Sequence, residues 1–408
     1  MGAFAVPAVI FGLVCAVTFT IGFSKENVFN VMSYGAVEGT TRDSSHAILK
    51  AWKAACSSKT ESSTVLIPKR HTLLVKPIVL RGPCRANSIT FMIHGEIVAP
   101  TSPGEWTRTD QSQWLAFEGV SRLNVTGTGI GKIDGRGTRW WSQSCRDHPD
   151  LKGCTSLAPT AMKIISCNNT SLSNIHFINS SQTHVLIMGS KRVEIKNLVI
   201  TAPESSPNTD GIHIHSSHNV IIKNTTIGTG DDCVSIGDYT SNVNISHIRC
   251  GPGHGISIGS LGRSGNFVQV EDIRVSNVYF KGTTNGARIK TWQIGRGNIR
   301  RVTFQNLYFE SVNNPFIIDQ NYGNLGGLSN EKQTGVHIAN VSINNLFGTS
   351  ISNVAINLNC SRSVACTGIL LKSIQLKSAN SGQKVTSSCL NAHGFSFGVV
   401  QPEPCLQI

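Results

Sequence analysis

Four short blocks recur in the middle of the chain, and each sets an ionisable residue beside glycines or a short apolar run. They read S-P-N-T-D-G-I-H-I-H, G-T-G-D-D-C-V-S-I-G, G-P-G-H-G-I-S-I-G-S-L-G and R-I-K. Asp210 and Asp232 are 22 residues apart, as are Asp232 and His254, and Arg288 follows after 34. Such near-constant spacing is expected of a solenoid, in which each coil returns the chain to the same face. A polar segment from Arg263 to Glu271 can absorb about a dozen extra residues in the longer step.

If the blocks occupy successive rungs of a parallel sheet, about 4.8 Å apart, their charged side chains form one compact patch. The predicted patch consists of Asp210, Asp231, Asp232, His254, Arg288 and Lys290. Consecutive residues of a regular strand face opposite ways, which would separate Asp231 from Asp232. Gly228 and Gly230, just before this pair, allow a turn or bulge in which both carboxylates face one groove.

Taken singly, these residues have simpler explanations. An Asp pair after glycine is typical of a turn or a helix cap, and a histidine between glycines is typical of a turn. Two cations on one strand face are usually a solvated surface. The common spacing is what favours a functional patch over these alternatives.

A second periodicity also indicates a solenoid. A polar residue, usually Asn, precedes a short apolar run at Asn174, Asn197, Asn224, His247, Asn277, Asn306, Asn345 and Ser373. A propeller would need blades of about 40–45 residues, and the consensus of leucine-rich repeats is missing. Strands with alternating apolar residues would stack coil upon coil. We therefore predict an all-β fold, a parallel β-helix that forms a single domain over residues 25–408.

One amphipathic helix is predicted over residues 44–57, near the start of the chain. Its apolar positions at helical spacing are Ala47, Ile48, Trp52 and Ala55. Ser44 or Ser45 can cap its first turn. A helix here would cover the open end of the β stack, which would otherwise recruit other chains.

The opening run from Ala3 to Phe23 carries no charge, which fits either a secretory signal or a membrane anchor. We favour a cleaved signal over residues 1–24, with no membrane association after its removal, because the remainder has extracellular features. Sites for N-linked glycans occur at Asn124, Asn168, Asn169, Asn179, Asn224, Asn244, Asn340 and Asn359. Asn-rich turns would produce some of these by chance.

The 12 cysteines also indicate an oxidising compartment. Candidate pairs are Cys56 with Cys84, Cys145 with Cys154, Cys233 with Cys250, Cys360 with Cys366 and Cys389 with Cys405. Cys167 lies in an apolar run and is predicted to be a buried thiol. Since no C-x-x-C spacing occurs, a zinc site is not predicted.

The net charge of +13 suggests a polyanionic partner. The chain has no lysine-rich arm, no zinc knuckle and no aromatic RNA-binding motif, so nucleic acid is not predicted. For an extracellular protein, an acidic polysaccharide is the better candidate. Charge that serves only solubility is the alternative.

Three carboxylates in one patch raise at least one of their pKa values, because like charges repel at short range. One can then stay protonated as an acid while its neighbours act on water, which is what hydrolysis of a glycosidic bond requires. A separation of about 6.5–9.5 Å predicts inversion, and about 5–5.5 Å predicts a covalent intermediate. Residues one or two rungs apart can span either distance, so rung counting leaves both open.

The blocks N-T-D (208–210), G-D-D (230–232), G-H-G (253–255) and R-I-K (288–290), in this order and spacing, resemble the four signatures of the polygalacturonases, family 28 of the glycoside hydrolases. The likeness covers most of the chain and is closest to plant members. It implies a right-handed β-helix that hydrolyses α-1,4-linked galacturonan with inversion and without metal or cofactor.

The resemblance also implies a role for each matching residue. Asp231 would be the general acid, Asp210 and Asp232 would hold and activate water, and His254 would tune the protonation of the acid. Arg288 and Lys290 would bind the galacturonate carboxylate, which suits a bidentate guanidinium beside an ammonium group. Tyr322 and Asn208 would line the substrate site.

The chain departs from the pattern at Gly323, where many plant relatives have a cysteine. A disulfide usual in that loop is therefore expected to be missing, and the loop from Gly323 to Gln333 to be more mobile. We expect a secreted, monomeric, endo-acting enzyme of the plant cell wall that acts on de-esterified pectin. The alternatives are an exo-acting enzyme, a catalytically silent pectin-binding protein, and a lyase that uses calcium and releases unsaturated products.

Overall fold

A computed structural model describes residues 1–3, 27–106, 110–145, 148–155, 157–323 and 334–408. All but the first three residues of the predicted signal segment, and most of the loop after Tyr322, lie outside the described residues. Within the described ranges, no helix is both long and apolar enough to cross a bilayer.

The described strands form two sheets in which neighbouring strands run parallel. The larger sheet contains β1 (Asn27–Asn30), β2 (Gly39–Asp43), β3 (Ser62–Ile67), β4 (Thr72–Leu74), β6 (Ser88–Ile93), β7 (Glu96–Val98), β9 (Leu123–Asp134), β11 (Asn168–Ile178), β13 (Lys191–Lys196), β14 (Val199–Thr201), β16 (His218–Gly228), β18 (Thr240–Cys250), β20 (Phe267–Lys281), β22 (Arg296–Val312), β24 (Val336–Ser350), β26 (Cys366–Ser378) and β28 (Ala392–Gln401). The smaller sheet contains β5 (Ile78–Arg81), β8 (Gln113–Glu118), β10 (Thr160–Ile165), β12 (Val185–Met188), β15 (Ile212–His215), β17 (Val234–Ile236), β19 (Ile256–Leu261), β21 (Asn285–Thr291), β23 (Asn314–Asp319), β25 (Val354–Asn359) and β27 (Thr386–Leu390). Two α-helices, α1 (Ser45–Ser57) and α2 (Thr138–Trp141), and two 3-10 turns, Val31–Tyr34 and Pro103–Trp106, complete the secondary structure.

The predicted repeat is the coil of this solenoid. The residues that follow the repeat positions pair with one another from strand to strand: Thr225, Ile248, Val278, Leu307, Leu346 and Ile374. Crossovers between parallel strands are right-handed in almost all proteins. The predicted fold, a right-handed parallel β-helix, is confirmed.

The repeat positions carry Asn because the backbone turns a corner there. All eight have left-handed backbone conformations, with φ between 51° and 57°. Asn adopts this conformation more readily than other non-glycine residues. The side chains also stack: Nδ2 of Asn306 donates to Oδ1 of Asn277 at 3.0 Å, and Nδ2 of Asn345 donates to Oδ1 of Asn306 at 3.0 Å. The periodic Asn in the sequence therefore reflects the left-handed backbone conformation at each corner of the solenoid.

The same geometry accounts for asparagine at several candidate glycan sites. Asn169, Asn179, Asn224 and Asn340 all have positive φ. Asparagine is therefore favoured at these positions whether or not a glycan is attached. Glycosylation stays a prediction.

Helix α1 contacts strands of the first coil and buries its apolar face against them. Its Trp52 donates from Nε1 to the carbonyl of Arg81 at 3.0 Å. The predicted cap was wrong in its detail. Ser44 holds the capping position but bonds to Val37, while Oδ1 of Asp43 accepts from the backbone N–H of Ser45 at 2.9 Å. The helix itself, and its place over the end of the stack, are confirmed.

All five predicted disulfides are formed: Cys56–Cys84, Cys145–Cys154, Cys233–Cys250, Cys360–Cys366 and Cys389–Cys405. Cys167 is a free, buried thiol, as predicted, and burial raises its pKa. A thiol with a raised pKa is a poor nucleophile, so Cys167 is a packing residue.

Candidate functional site

A cavity of about 750 Å³ opens on the smaller sheet, and all eight predicted site residues line it. They are Asn208, Asp210, Asp231, Asp232, His254, Arg288, Lys290 and Tyr322. Seven further residues, none of them named in advance as site residues, complete the lining: His213, Ser235, Gly259, Ser260, Arg263, Trp292 and Gly323.

Coils of equal length bring Asp210, Asp232 and His254 together. Ile212 pairs with Val234, and Val234 with Ile256, so each of these coils is 22 residues long. Asp210, Asp232 and His254 each stand two residues before the strand of their own coil. They therefore occupy the same position on three successive rungs.

Arg288 does not share that position. Ile256 pairs with Ala287, so the next coil has 31 residues, and Arg288 lies opposite Ser257 rather than beside His254. The insertion is nine residues, where the sequence suggested about a dozen. Arg288 and Lys290 both lie on β21 and both face the cavity, as expected from their spacing.

Close packing between coils requires glycine on both sides of the carboxylate pair. A Cβ on Gly230 would collide with the carbonyl oxygen of Ser206, and one on Gly255 would collide with that of Asn285. Gly255 also has a left-handed φ of +85°. These contacts account for glycine at both positions, which lie close to the segment where Asp231 and Asp232 reach the cavity.

Asp232 is paired with both cations that were expected to hold a sugar carboxylate. Its Oδ1 accepts from Nη2 of Arg288 at 2.6 Å and from Oγ of Ser257 at 2.8 Å. Its Oδ2 accepts from Nζ of Lys290 at 2.8 Å. The Asp232 side chain is only 2% exposed. Because guanidinium carries five N–H donors and ammonium three, both cations keep donors for a ligand.

Two successive hydrogen bonds connect Asp210 to Ser235 and Ser235 to His213. Oγ of Ser235 donates to Oδ2 of Asp210 at 2.6 Å, and Nδ1 of His213 lies 2.7 Å from the same Oγ. Since the single hydroxyl proton goes to Asp210, the Nδ1 of His213 must carry a proton and donate to Ser235. Burial lowers the pKa of His213 to about 4, so its ring is neutral.

The pKa values of Asp210 and Asp231 are shifted in opposite directions. Burial, followed by the negative charges of Asp231 and Asp232, raises the pKa of Asp210 well above its usual value. Burial acts the same way on Asp231, but it is outweighed there. Nδ1 of His254 lies 3.1 Å from Oδ1 of Asp231, and this hydrogen bond and charge, with the charge of Lys290, lower the pKa of Asp231 to about 2. A proton shared between these two carboxylates therefore favours Asp210 over Asp231.

The aromatic rings of Tyr322 and Trp292 lie beside Lys290. Nζ of Lys290 lies 5.3 Å from the centre of the Tyr322 ring, and that ring meets Trp292 edge to face at 5.7 Å. A Cβ on residue 323 would collide with the indole of Trp292. Glycine at this position, the departure noted in the sequence, is thus required by the packing of Trp292. The rest of the loop, from residue 324 to residue 333, lies outside the described residues.

Asp231, Asp232 and His254 have ligand atoms within 4.8 Å of one another, which is close enough to share a metal ion. The charges argue against such a site. Both oxygens of Asp232 already accept from cations, and a metal ion would be repelled by Arg288 and Lys290. The arrangement favours chemistry by carboxylates alone.

Ser235 and Ser257 donate hydrogen bonds to Asp210 and Asp232, and the sequence argument missed both serines. They lie in one row with His213 and Arg288, because each pairs with the next across successive strands. The repeat argument used the residues just before each strand. Extending it to the outward positions within the strands would have identified this row.

Replacing Asp210 with asparagine should stabilise the folded protein, increasingly so from pH 4 to pH 7. Because the pKa of Asp210 is raised, the folded chain holds a proton that the unfolded chain releases, and stability falls as the pH rises above about 4. Asparagine cannot titrate, so it removes this loss. Urea unfolding at pH 4, 5.5 and 7 measures the effect. Parallel stability curves for the variant and the wild type would contradict it. Asp272→Asn, at an exposed ion pair with Arg301, is the control and should not be stabilising at any pH.

The family model described as "Glycosyl hydrolases family 28" matches residues 56–401. A probable polygalacturonase of Arabidopsis thaliana is 42% identical over 382 residues, covering 94% of this chain and 85% of the relative. An exopolygalacturonase of Platanus acerifolia is 39% identical over 370 residues, covering 90% and 95%. Among solved structures, an exopolygalacturonase of Thermotoga maritima shares the fold with a TM-score of 0.75 at 19% identity, covering 92% of each chain.

Proposed function

Since the chain belongs to glycosyl hydrolases family 28 and is a glycoside hydrolase, we propose that it is a polygalacturonase that hydrolyses α-1,4-galacturonosyl linkages in de-esterified pectin. We further propose that it acts within the polymer and is secreted into the plant cell wall. One observation carries the proposal: three carboxylates, a histidine and two cations from successive coils line a single cavity.

The cations account for a uronate substrate. Arg288 and Lys290 are held in place by Asp232 and retain free donors toward the cavity. A sugar carboxylate can take those donors without displacing Asp232. The ring of Tyr322 and the amide of Asn208 line the same cavity and would contact the bound sugar.

In the catalytic step, Asp231 donates a proton to the leaving oxygen while Asp210 takes one from the attacking water. Both oxygens of Asp232 already accept hydrogen bonds from cations or Ser257. Asp232 would orient the water instead. His254, bonded to Asp231, sets the protonation of the acid. This division of roles follows the family pattern, with Asp210 as the group that moves the proton of water.

Without substrate, the raised pKa of Asp210 and the lowered pKa of Asp231 favour the opposite assignment, in which Asp210 is the acid. Substrate binding changes those charges in two ways. A sugar over Asp231 removes more water from it, which raises its pKa, and a uronate beside Lys290 offsets the positive charge that lowers it. Both effects move Asp231 toward the protonated form that an acid needs.

The acidic limb of kcat should therefore lie at higher pH than the acidic limb of kcat/KM, because Asp231 has the lower of the two pKa values in the free enzyme. The first profile reports the enzyme with substrate bound and the second reports the free enzyme. Initial rates on polygalacturonate from pH 2 to pH 8 give both profiles. Coincident acidic limbs would contradict the proposed effect of substrate on Asp231.

Action within the polymer is supported by a hollow that continues from the main cavity. It has a volume of about 410 Å³ and shares His213, Ser260 and Arg263 with the cavity, so a bound polymer can extend past the unit at Arg288 and Lys290. The similarity to relatives does not decide this, since an exopolygalacturonase is among them.

A time course of products from de-esterified pectin tests the proposal. Early release of mixed oligomers supports action within the chain, whereas monomer alone from the first minutes supports an exo-acting enzyme. Binding without any release of reducing ends would indicate a silent pectin-binding protein. Unsaturated products, which absorb in the ultraviolet, would contradict hydrolysis. Proton NMR of the first products should show an inverted anomeric centre.

Secretion is supported by the five disulfides, which persist in oxidising compartments. If the uncharged opening run is a cleaved signal, the mature protein should begin near residue 25. N-terminal sequencing of protein recovered from the medium of secreting cells checks this. Recovery only inside the cell, with Met1 retained, would contradict it.

A further inference from the structure

Arg263 borders the cavity on the side opposite Asp231 and His254. Those two residues come just before β17 and β19, at the edge where the strands begin. Arg263 comes two residues after β19, at the edge where the strands end. Between these two edges, the floor of the cavity is formed by paired residues of successive strands, which include Ser257 and Arg288. A polymer lying over that floor would therefore pass between Asp231 and Arg263.

The guanidinium of Arg263 has a fixed support. It lies over the ring of Trp292, 5.7 Å from the ring centre, and Trp292 itself packs against Tyr322. Cation–π contact holds the plane of the guanidinium without using its N–H donors. The side chain is exposed to the cavity and forms no ion pair with a described residue. By contrast, Arg288 and Lys290 are both paired with the single carboxylate of Asp232.

Arg263 also stands where two cavities meet. It lines the main cavity and the neighbouring one of about 410 Å³, together with His213 and Ser260. The space beside Arg263 thus continues past the sugar that Arg288 and Lys290 would hold. A second sugar of the same polymer can lie there, and in galacturonan that sugar carries its own carboxylate.

We propose that Arg263, held on Trp292, binds the carboxylate of a second galacturonate unit, next along the polymer to the unit at Arg288 and Lys290. This inference rests on the proposed function and adds a requirement to it: two neighbouring units must be unesterified. A planar guanidinium pairs with a carboxylate through two parallel hydrogen bonds, whereas a methyl ester offers no charge. Arg263 is thereby a specificity residue for blocks of free acid.

The experiment uses the full secreted chain and three variants: Arg263→Gln, Arg263→Lys and Arg274→Gln. Arg274 is an exposed arginine on β20 of the larger sheet, outside the cavity, and is the matched control. Binding of galacturonate oligomers from two to eight units is measured by calorimetry with Asp231→Asn added to every protein. KM and kcat on polygalacturonate and on partially methylesterified pectin are measured with Asp231 intact.

We expect Arg263→Gln to weaken binding of longer free-acid oligomers about tenfold, with KM raised and kcat little changed. The loss should shrink in 0.5 M salt, and it should be smaller on partially methylesterified pectin than on polygalacturonate. Arg263→Lys should recover part of the binding, and Arg274→Gln should match the parent.

Two results would overturn the inference: equal affinities for Arg263→Gln and its parent at every length, or an equal loss on esterified pectin. Failure of the proposed function gives a different result. In that case the wild-type protein releases no reducing ends from polygalacturonate, and the Asp231→Asn protein binds no oligomer of any length.

Discussion

Asparagine in place of Asp231 should lower kcat on polygalacturonate by about 10²–10⁴-fold, the contribution expected of a general acid. The side chain keeps its shape, so the cavity and its other hydrogen bonds persist. Its lowered pKa means that ionised Asp231 stabilises the fold above about pH 4, a contribution lost as the pH falls through about 2. The variant should therefore lose up to about 2 kcal/mol of unfolding free energy at pH 5, too little to explain the loss of rate.

The leaving group of the substrate identifies the acid. The nitrophenolate of a nitrophenyl galacturonide leaves without needing a proton. An enzyme that lacks only its acid should therefore cleave this substrate almost as fast as the wild type does. We expect this for Asp231→Asn and not for Asp210→Asn. The reverse result would assign the acid to Asp210, as the pKa shifts of the two carboxylates without substrate do. Asp272→Asn, on the larger sheet, controls for a lost carboxylate and should keep full activity.

Methionine in place of Lys290 should have the second large effect, on stability and binding together. Nζ of Lys290 and Oδ2 of Asp232 form a buried pair, with side chains 8% and 2% exposed. Removing Lys290 leaves Asp232 paired with Arg288 and takes away one buried charged hydrogen bond, for which a loss of about 1.5–3 kcal/mol of unfolding free energy is expected. The bound uronate loses a charged hydrogen bond as well, so kcat/KM should fall about 10- to 100-fold.

Lys281→Met is the matched control, because Lys281 pairs with Glu310 on the exposed surface of the larger sheet. It should change neither activity nor stability appreciably. Urea unfolding at pH 5 and kinetics on polygalacturonate measure both proteins. If Lys290→Met proved as stable as Lys281→Met, the pairing with Asp232 would contribute little to the fold. The double variant Lys290→Met with Asp232→Asn should be less stable than Lys290→Met alone, since it leaves the largely buried Arg288 without its carboxylate partner.

The positions of Asp210, Asp232 and His254 were predictable because, in a solenoid, a constant spacing along the sequence places residues next to one another on successive coils. When successive coils have equal lengths, residues separated by one coil length must become neighbours. Arg288 was harder to place, because the coil before it carries an insertion. Its approximate location followed from the repeat, but its exact rung required the pairing of Ile256 with Ala287.

Partners across the rungs were not predictable in the same way. That Asp232 accepts from Arg288 and Lys290 depends on how side chains turn over the sheet, and spacing contains no such information. The packing of Trp292 against Gly323 was inaccessible for a similar reason, since it joins two different coils through side-chain shape. The cap of α1 by Asp43 depended on a choice among adjacent polar residues.

The nine-residue insertion between His254 and Arg288 has an evolutionary consequence. It lengthens one coil, yet Ile256 still pairs with Val234 on one side and with Ala287 on the other. Lineages can therefore reshape the rim of the groove by insertion or deletion while the reacting groups keep their places. A single residue gained inside β17 would instead exchange inward and outward faces along the strand.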